Sequence, residues 1–476
     1  MTRQRDTTPG TPSSCDAAPP RAGRSTSSGR YFVGPTFEYR LPAIMRKHIY
    51  TGAMGSSYIH LAKGMFLAAY GRELGISYFA WGVMAALNSF AIGFQLLSAR
   101  LSARTGQRRT IWFVTSVTCR ILVGLAILSA FYFSNWNVLF ASAAFVLFMA
   151  ASSAFGSLSA PPWHSWLTDL IPAEQHGTFM GRRSSWIAFT VIALLLPSAW
   201  FIDEWTSVGL GLYAMMIVFS VGLALGYVDL FIHNTIPEPA MKPERSRSFR
   251  DQVMTVLRDR AFRPWLLFRC SWNFSMSLGG AMMMFYFLEN LGFRNRMVTG
   301  VLFITAVPLL GQVFGAKYTG ILVDKLGTRS VIRAGHLAWS MIPMFWFFVT
   351  RDTSVWWLIV WQLITGVAKN AAMNAGKKLV LRVPRREDCS MYMAVSSCLL
   401  GAAAGLGSFT AGAMLDMLDG FTWHLGGLEL SGFHVLYIIS SSLRLGSTML
   451  TRWLPDHAAE TKIIERSRRK SVAVAS

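Results

Sequence analysis

The chain has 476 residues, of which 53% are hydrophobic and only 14% charged, against roughly 25% charged in a soluble globular protein. That excludes a water-soluble monomer, and five cysteines without CxxC or paired-histidine spacing exclude a disulfide scaffold or an ordinary zinc site. The net charge of +21 would suit a polyanion, so its placement along the chain decides what it means.

Residues 1–44 are rich in Ser, Thr, Pro and Arg and lack an apolar stretch, so a disordered basic cytoplasmic tail is expected there. Twelve apolar runs follow, near 49–70, 78–99, 110–132, 137–158, 184–202, 208–230, 265–288, 298–320, 330–350, 355–376, 391–415 and 433–454. Each is close to the 20 or so residues needed to cross ~30 Å of hydrocarbon. The expectation is an all-α, polytopic integral membrane protein with twelve transmembrane helices in two six-helix bundles, 45–232 and 265–455. A basic tail, 456–476, ends the chain. The linker 233–264 opens with the Pro-rich, charged IPEPAMKPERSRS. Phe249, Val253, Leu257 and Ala261 then recur at spacing four, which predicts an amphipathic helix, either lying on the inner membrane face or solvated.

With both termini cytoplasmic, 35 of the 45 Lys and Arg fall in inside segments, 4 in outside loops and 6 within spans. That asymmetry is the positive-inside signature. The basic surplus is therefore read as topology, and a nucleic-acid partner is not expected.

The two halves repeat. Arg72-Glu73-Leu74-Gly75 after the first span matches Glu289-Asn290-Leu291-Gly292 after the seventh, 217 residues on. ARLSARTGQRRT (99–110) matches GILVDKLGTRSV (320–331), and DLIPAEQHGTFMGRR (169–183) matches RVPRREDCSMYMA (382–394). Gly320, Leu322, Asp324, Lys325, Gly327 and Arg329 stand at the spacing of an inter-helix signature, and the chain thereby resembles the major facilitator superfamily. The first-half copy keeps Arg104, Gly106, Arg108 and Arg109, but Ala99 replaces the leading Gly and Ala103 the Asp. The resemblance implies two pseudo-symmetric six-helix bundles and a secondary transporter working by alternating access. It also implies that the signature's acid and bases link helix ends on the cytoplasmic side, which Ala103 puts in doubt for the first half. Pairing of Asp324 with Arg329 is expected in the second.

Six cations fall within spans: Lys63, Arg120, Arg269, Lys317, Lys369 and Arg444. A charge at mid-membrane costs on the order of 2.5–3.5 kcal/mol on insertion scales. Arg269 and Lys317 can snorkel from near the cytoplasmic ends, and Arg120 and Arg444 are expected to bond backbone carbonyls of neighbouring helices. By the resemblance, spans 1, 4, 7 and 10 line the cavity, which makes Lys63 and Lys369 candidates for substrate binding. His60, Trp272, Asn273, Asn370 and Asn374 share those spans and complete the candidate set. No carboxylate lies mid-span, so the Lys pair points to an organic anion, with drug-like compounds or lipid as the alternatives. Coupling would be absent or would run through His60, whose unperturbed pKa is near 6.5. No P-loop, HExxH or GxSxG element occurs. Neither a metal nor a cofactor is expected, and a polytopic membrane enzyme lacks a clustered site. The expected partners are a small-molecule substrate, a coupling ion if there is one, and membrane lipid. The expected location is a bacterial inner or cell membrane.

Overall fold

Apolar residues recur without a polar face along most of the chain, so the helices they form must be covered by lipid or by one another. The computed structural model describes residues 35–239, 249–350, 353–380, 389–425 and 428–454. In the first half, α1 (Pro35–Lys63) and α2 (Met65–Glu73) form one rod broken at Gly64, and α3 (Tyr78–Phe90) and α4 (Phe94–Thr105) form the next. Then come α5 (Arg108–Ser134), α6 (Val138–Leu170), α7 (Ala173–Ser207) and α8 (Gly211–Asn234). A short α9 (Phe249–Arg258) precedes the second half. There α10 (Arg263–Gly280) and α11 (Met283–Phe285) make one rod, and α12 (Met297–Val301) and α13 (Val307–Leu326) another. They are followed by α14 (Thr328–Ser340) with α15 (Ile342–Trp346), then α16 (Val355–Val380), α17 (Cys389–Met417) and α18 (Gly432–Met449).

All twelve expected spans are helical among the described residues. Seven of these rods are long and apolar enough to cross a membrane on length and composition alone, at spans 2 to 6, 8 and 11. Large apolar side chains such as Leu128, Leu139, Leu147, Phe189, Phe231 and Phe314 point outward, where a soluble protein would carry charge.

Glycine sets how closely the rods approach, as is usual between membrane helices. The Gly and Ala run of span 11 packs α17 on α3 through Gly401, Gly405 and Gly412. A Cβ on Gly412 would stand 2.7 Å from the Gly82 Cα. Gly407 instead faces Phe274 of α10, and Gly335 of α14 meets Ala372 of α16.

The helices depart from the expected outline or add to it at three places. Helix α1 begins at Pro35, inside the segment expected to be disordered, because Leu41 and Ile44 bury against Trp166, Leu170 and Phe179. The amphipathic linker helix α9 turns its apolar side to protein. Its Val256 is buried, Val253 and Leu257 pack on the same core, and the helix contacts α17. The loop after α17 also holds a small antiparallel hairpin, β1 (Thr422–Leu425) with β2 (Leu428–Ser431), pairing Trp423 with Leu430 and His424 with Glu429.

Candidate functional site

Lys63 is the last residue of α1, where the rod breaks. Gly64 takes a non-helical ψ of −145°, and a side chain there would collide with the His60 carbonyl. The break leaves the N-terminus of α2, with its free N–H groups and positive dipole end, beside a cation. The Lys63 ammonium donates to Ser152 Oγ of α6 at 2.9 Å and approaches Cys119 Sγ of α5 at 3.8 Å. Neither partner was legible in the sequence, because a Ser and a Cys in apolar helices carry no signal of their own. His60 Nδ1 bonds the Ser56 carbonyl one turn back at 2.8 Å.

The second half holds its candidates differently. Lys369 is half-buried on α16 and has no hydrogen-bond partner among the described residues. Asn370 donates to the Gln312 carbonyl of α13 at 2.9 Å, and Asn273 to Arg269 within its own helix at 2.7 Å. Trp272 does not shape a cavity: it is buried against His336 and Trp339 of α14, with ring centroids 4.4 and 5.5 Å away. The side chains of Asn374 and Lys317 lie outside the described residues. The structure therefore does not gather the candidates into one contact set. Lys63 and Lys369 stand in separate halves, each on its own span.

The remaining buried arginines divide. Arg444 donates to the Trp339 and Met276 carbonyls at 3.4 and 3.1 Å, as expected. Arg120 instead meets a carboxylate, Asp229 of α8, at 2.8 Å, and lies over the Tyr58 ring at 4.9 Å. The sequence gives no sign of the pair, because the partners are 109 residues apart.

At the end of the bundle remote from the termini, polar bonds join the halves. Arg72 Nε reaches Glu289 Oε1 at 2.6 Å and its guanidinium lies 4.1 Å from the Tyr78 ring centroid. Tyr78 also donates to Glu289, and Arg294 pairs with Glu73. Asp203 of α7 accepts from the Met297 and Val298 amides at the start of α12, at 2.6 and 3.0 Å. Arg72 and Glu289 are 217 residues apart, the repeat offset itself, so equivalent positions of the two halves meet. The matched glycines Gly75 and Gly292 both have positive φ, 81° and 72°, which the tight turn requires. Glu289 sits in a wide π-helical turn, Tyr286–Asn290, of a kind that often re-aims functional side chains.

At the opposite end, the signature residues are partly described. Gly106 caps α4 with a left-handed φ of 68°. Arg108 is fully buried and bonds Asp169 Oδ2 at 2.6 Å, Ser165 Oγ at 3.0 Å and the Pro239 carbonyl at 2.8 Å. Arg109 Nε donates to Asn234 at 2.8 Å, and Arg104 is exposed. The acid missing at position 103 is thus supplied by Asp169 from the end of α6, with Glu238 3.7 Å from Arg108 Nε. In the second half Gly327 has φ 86°. Arg329 donates to the Arg452 carbonyl, and the side chains of Asp324 and Lys325, with Gly320, lie outside the described residues, as does the expected pair of Asp324 with Arg329. Most of the 382–394 match lies outside them too. Tyr392 is described and donates to Asp259 at 2.7 Å.

Comparison with known proteins agrees with this architecture. The profile of the Major Facilitator Superfamily matches residues 49–317 and 295–475. No curated protein matches the chain in sequence. Among solved structures, an aspartate-to-alanine mutant of the nucleoside transporter NupG superposes with a TM-score of 0.65 at 10% identity, covering 87% of this chain and 99% of that one. NupG itself gives 0.60 at 11% identity, over 87% and 98%. A bacterial homolog of the human lysosomal transporter Spinster, inward-facing and unoccupied, gives 0.54 at 15%, over 88% and 95%.

Proposed function

The chain belongs to the major facilitator superfamily and is a membrane transporter of small solutes, and we propose that its substrate is an organic anion. The observation that carries this reading is the broken first rod. Lys63 sits at the break, next to the positive end of α2, and no carboxylate lies within ion-pair distance of it among the described residues. Discontinuous helices in transporters present such ends to anionic groups. Lys369, without a hydrogen-bond partner among the described residues, adds a second cation from the other half. A carboxylate, phosphate or sulfonate would relieve both, whereas a cationic compound would be repelled.

The two bundles rock about this region, both termini are cytoplasmic, and the protein works in a bacterial cell membrane. Support for the orientation comes from the charge asymmetry. The bonds between Arg72 and Glu289, and between Arg294 and Glu73, belong on that reading to a closed external face.

Uptake into proteoliposomes tests the substrate class. Lys63→Gln and Lys369→Gln should each raise the apparent KM for a transported anion by about tenfold, as expected for loss of one charge-assisted bond. An unchanged KM in both variants, or transport of cations alone, would overturn the reading.

A further inference from the structure

Arg183 of α7 is held by three helices, with no carboxylate within ion-pair distance among the described residues. Its Nε donates to the His48 carbonyl of α1 at 3.2 Å, and its Cζ lies 5.1 Å from the Trp163 ring centroid on α6. Helix α1 is bare where it passes, since a Cβ on Gly52 would stand 2.6 Å from Nη2 and 2.7 Å from Nε. One edge of the guanidinium therefore faces α1 backbone and its Cζ lies over an indole ring, while Nη1 has no hydrogen-bond partner among the described residues. Asp229 faces the same cluster but is engaged by Arg120. A guanidinium fixed in this way offers its free donors in a set geometry, which suits an oxyanion better than a mobile ammonium does.

Its position relates to Lys63. Ser152, which accepts from Lys63, and Trp163, which abuts Arg183, lie on one face of α6, since 152, 156, 159 and 163 recur at helical spacing. Gly156 and Ser159 stand between them, both small, and a Cβ on Gly156 would stand 3.4 Å from Cys119 Sγ of α5. Eleven residues at 1.5 Å each put the two stations about 16 Å apart along the helix, Arg183 being nearer the end with the termini. Pro161 and Pro162 stand inside α6 beside Trp163. The Leu158 carbonyl, which Pro162 leaves without its helical donor, is taken by the Ser98 hydroxyl.

We propose that Arg183 is a second anion-binding station, receiving the carboxylate or phosphate of a substrate on its way between the cytoplasmic mouth and Lys63. This rests on the anion reading of the transport site and adds to it a residue, a place and an order of contact.

The test uses the purified full-length transporter and the ligand-dependent rise in its apparent Tm, which reports binding to the folded state. Benzoate and phenyl phosphate serve as anions, benzamide as the neutral probe and benzamidine as the cation. Both anions should stabilise the wild type, and Arg183→Gln should weaken their apparent Kd about tenfold. Arg183→Lys, which keeps the charge but loses the fork, should fall between and is decisive if the Gln variant does not fold. Undiminished anion stabilisation in both Arg183 variants, with loss in Lys63→Gln, would overturn the second station and leave the anion reading standing. Stabilisation by benzamidine alone, or by none of the four probes, would overturn both.

Discussion

At the scale of single residues, the first half shows how a membrane protein seats a charge. Arg120 and Asp229 pair at 2.8 Å, and two glycines make the room. A Cβ on Gly226 would stand 2.9 Å from Arg120 Nε, and one on Gly55 2.8 Å from Asp229 Oδ2. Desolvating both ions is costly, and their attraction offsets it only while both are present. Asp229→Asn should therefore lose on the order of 3–5 kcal/mol by leaving a buried guanidinium unmatched. The double variant Arg120→Met with Asp229→Leu should regain most of it. Thermal unfolding of the three purified proteins measures this. If the single variant melts with the wild type, the pair does not hold α5 to α8. Such a pair was half legible: the cost of Arg120 could be read from its depth, but its partner could not, because nothing in the sequence says which helix lies beside which.

At the scale of helices, the seam between α3 and α17 is where sequence pattern and packing agree most closely. Gly401, Gly405 and Gly412 fall on one face by their spacing of four and seven, and that face is the one that meets Ser89, Ala86 and Gly82. Gly412→Val would force methyl groups into backbone and should cost about 1–3 kcal/mol. Gly446→Val on α18, where a Cβ would meet nothing within 4 Å, should be tolerated. Comparing the apparent Tm of the two variants decides it, and equal loss in both would mean that the seam is not the constraint. Trp272 shows the opposite case. Its helix carries Arg269, Ser271, Asn273, Ser275 and Ser277 at every second position, which strings polar groups around the helix instead of along one side, so no stripe marks the face that turns inward. A tryptophan read as cavity-lining is in fact packed against His336 and Trp339. Likewise α9 was legible as an amphipathic helix, but not that its apolar side would be covered by protein rather than lipid. Amphipathicity states that a face must be buried and leaves open against what.

At the scale of the molecule, charge asymmetry and the internal repeat carried the architecture, because both are summed over many residues and survive the loss of any one motif. The repeat carried more than was read from it. Arg72 and Glu289 were matched as equivalent positions, and a pseudo-twofold axis brings equivalent positions near it together, so a bond between them follows from the symmetry. That bond closes the end remote from the termini, with Tyr78 and the Arg294–Glu73 pair beside it. In a two-state transporter such a bond favours only the state in which it forms. A bond to a charged group contributes about 1.5–3 kcal/mol, and each 1.4 kcal/mol shifts a population roughly tenfold. Arg72→Glu should thus move the resting protein toward the state open at that end. The exchange Arg72→Glu with Glu289→Arg should move it back, because the pair is restored with its sign reversed. Spin labels at Asn135 and Asp419, exposed on the same end in opposite halves, would read the change as a longer distance in the single variant and a return in the double. A distance distribution that the single reversal leaves unchanged would show that this bond does not set which face is closed.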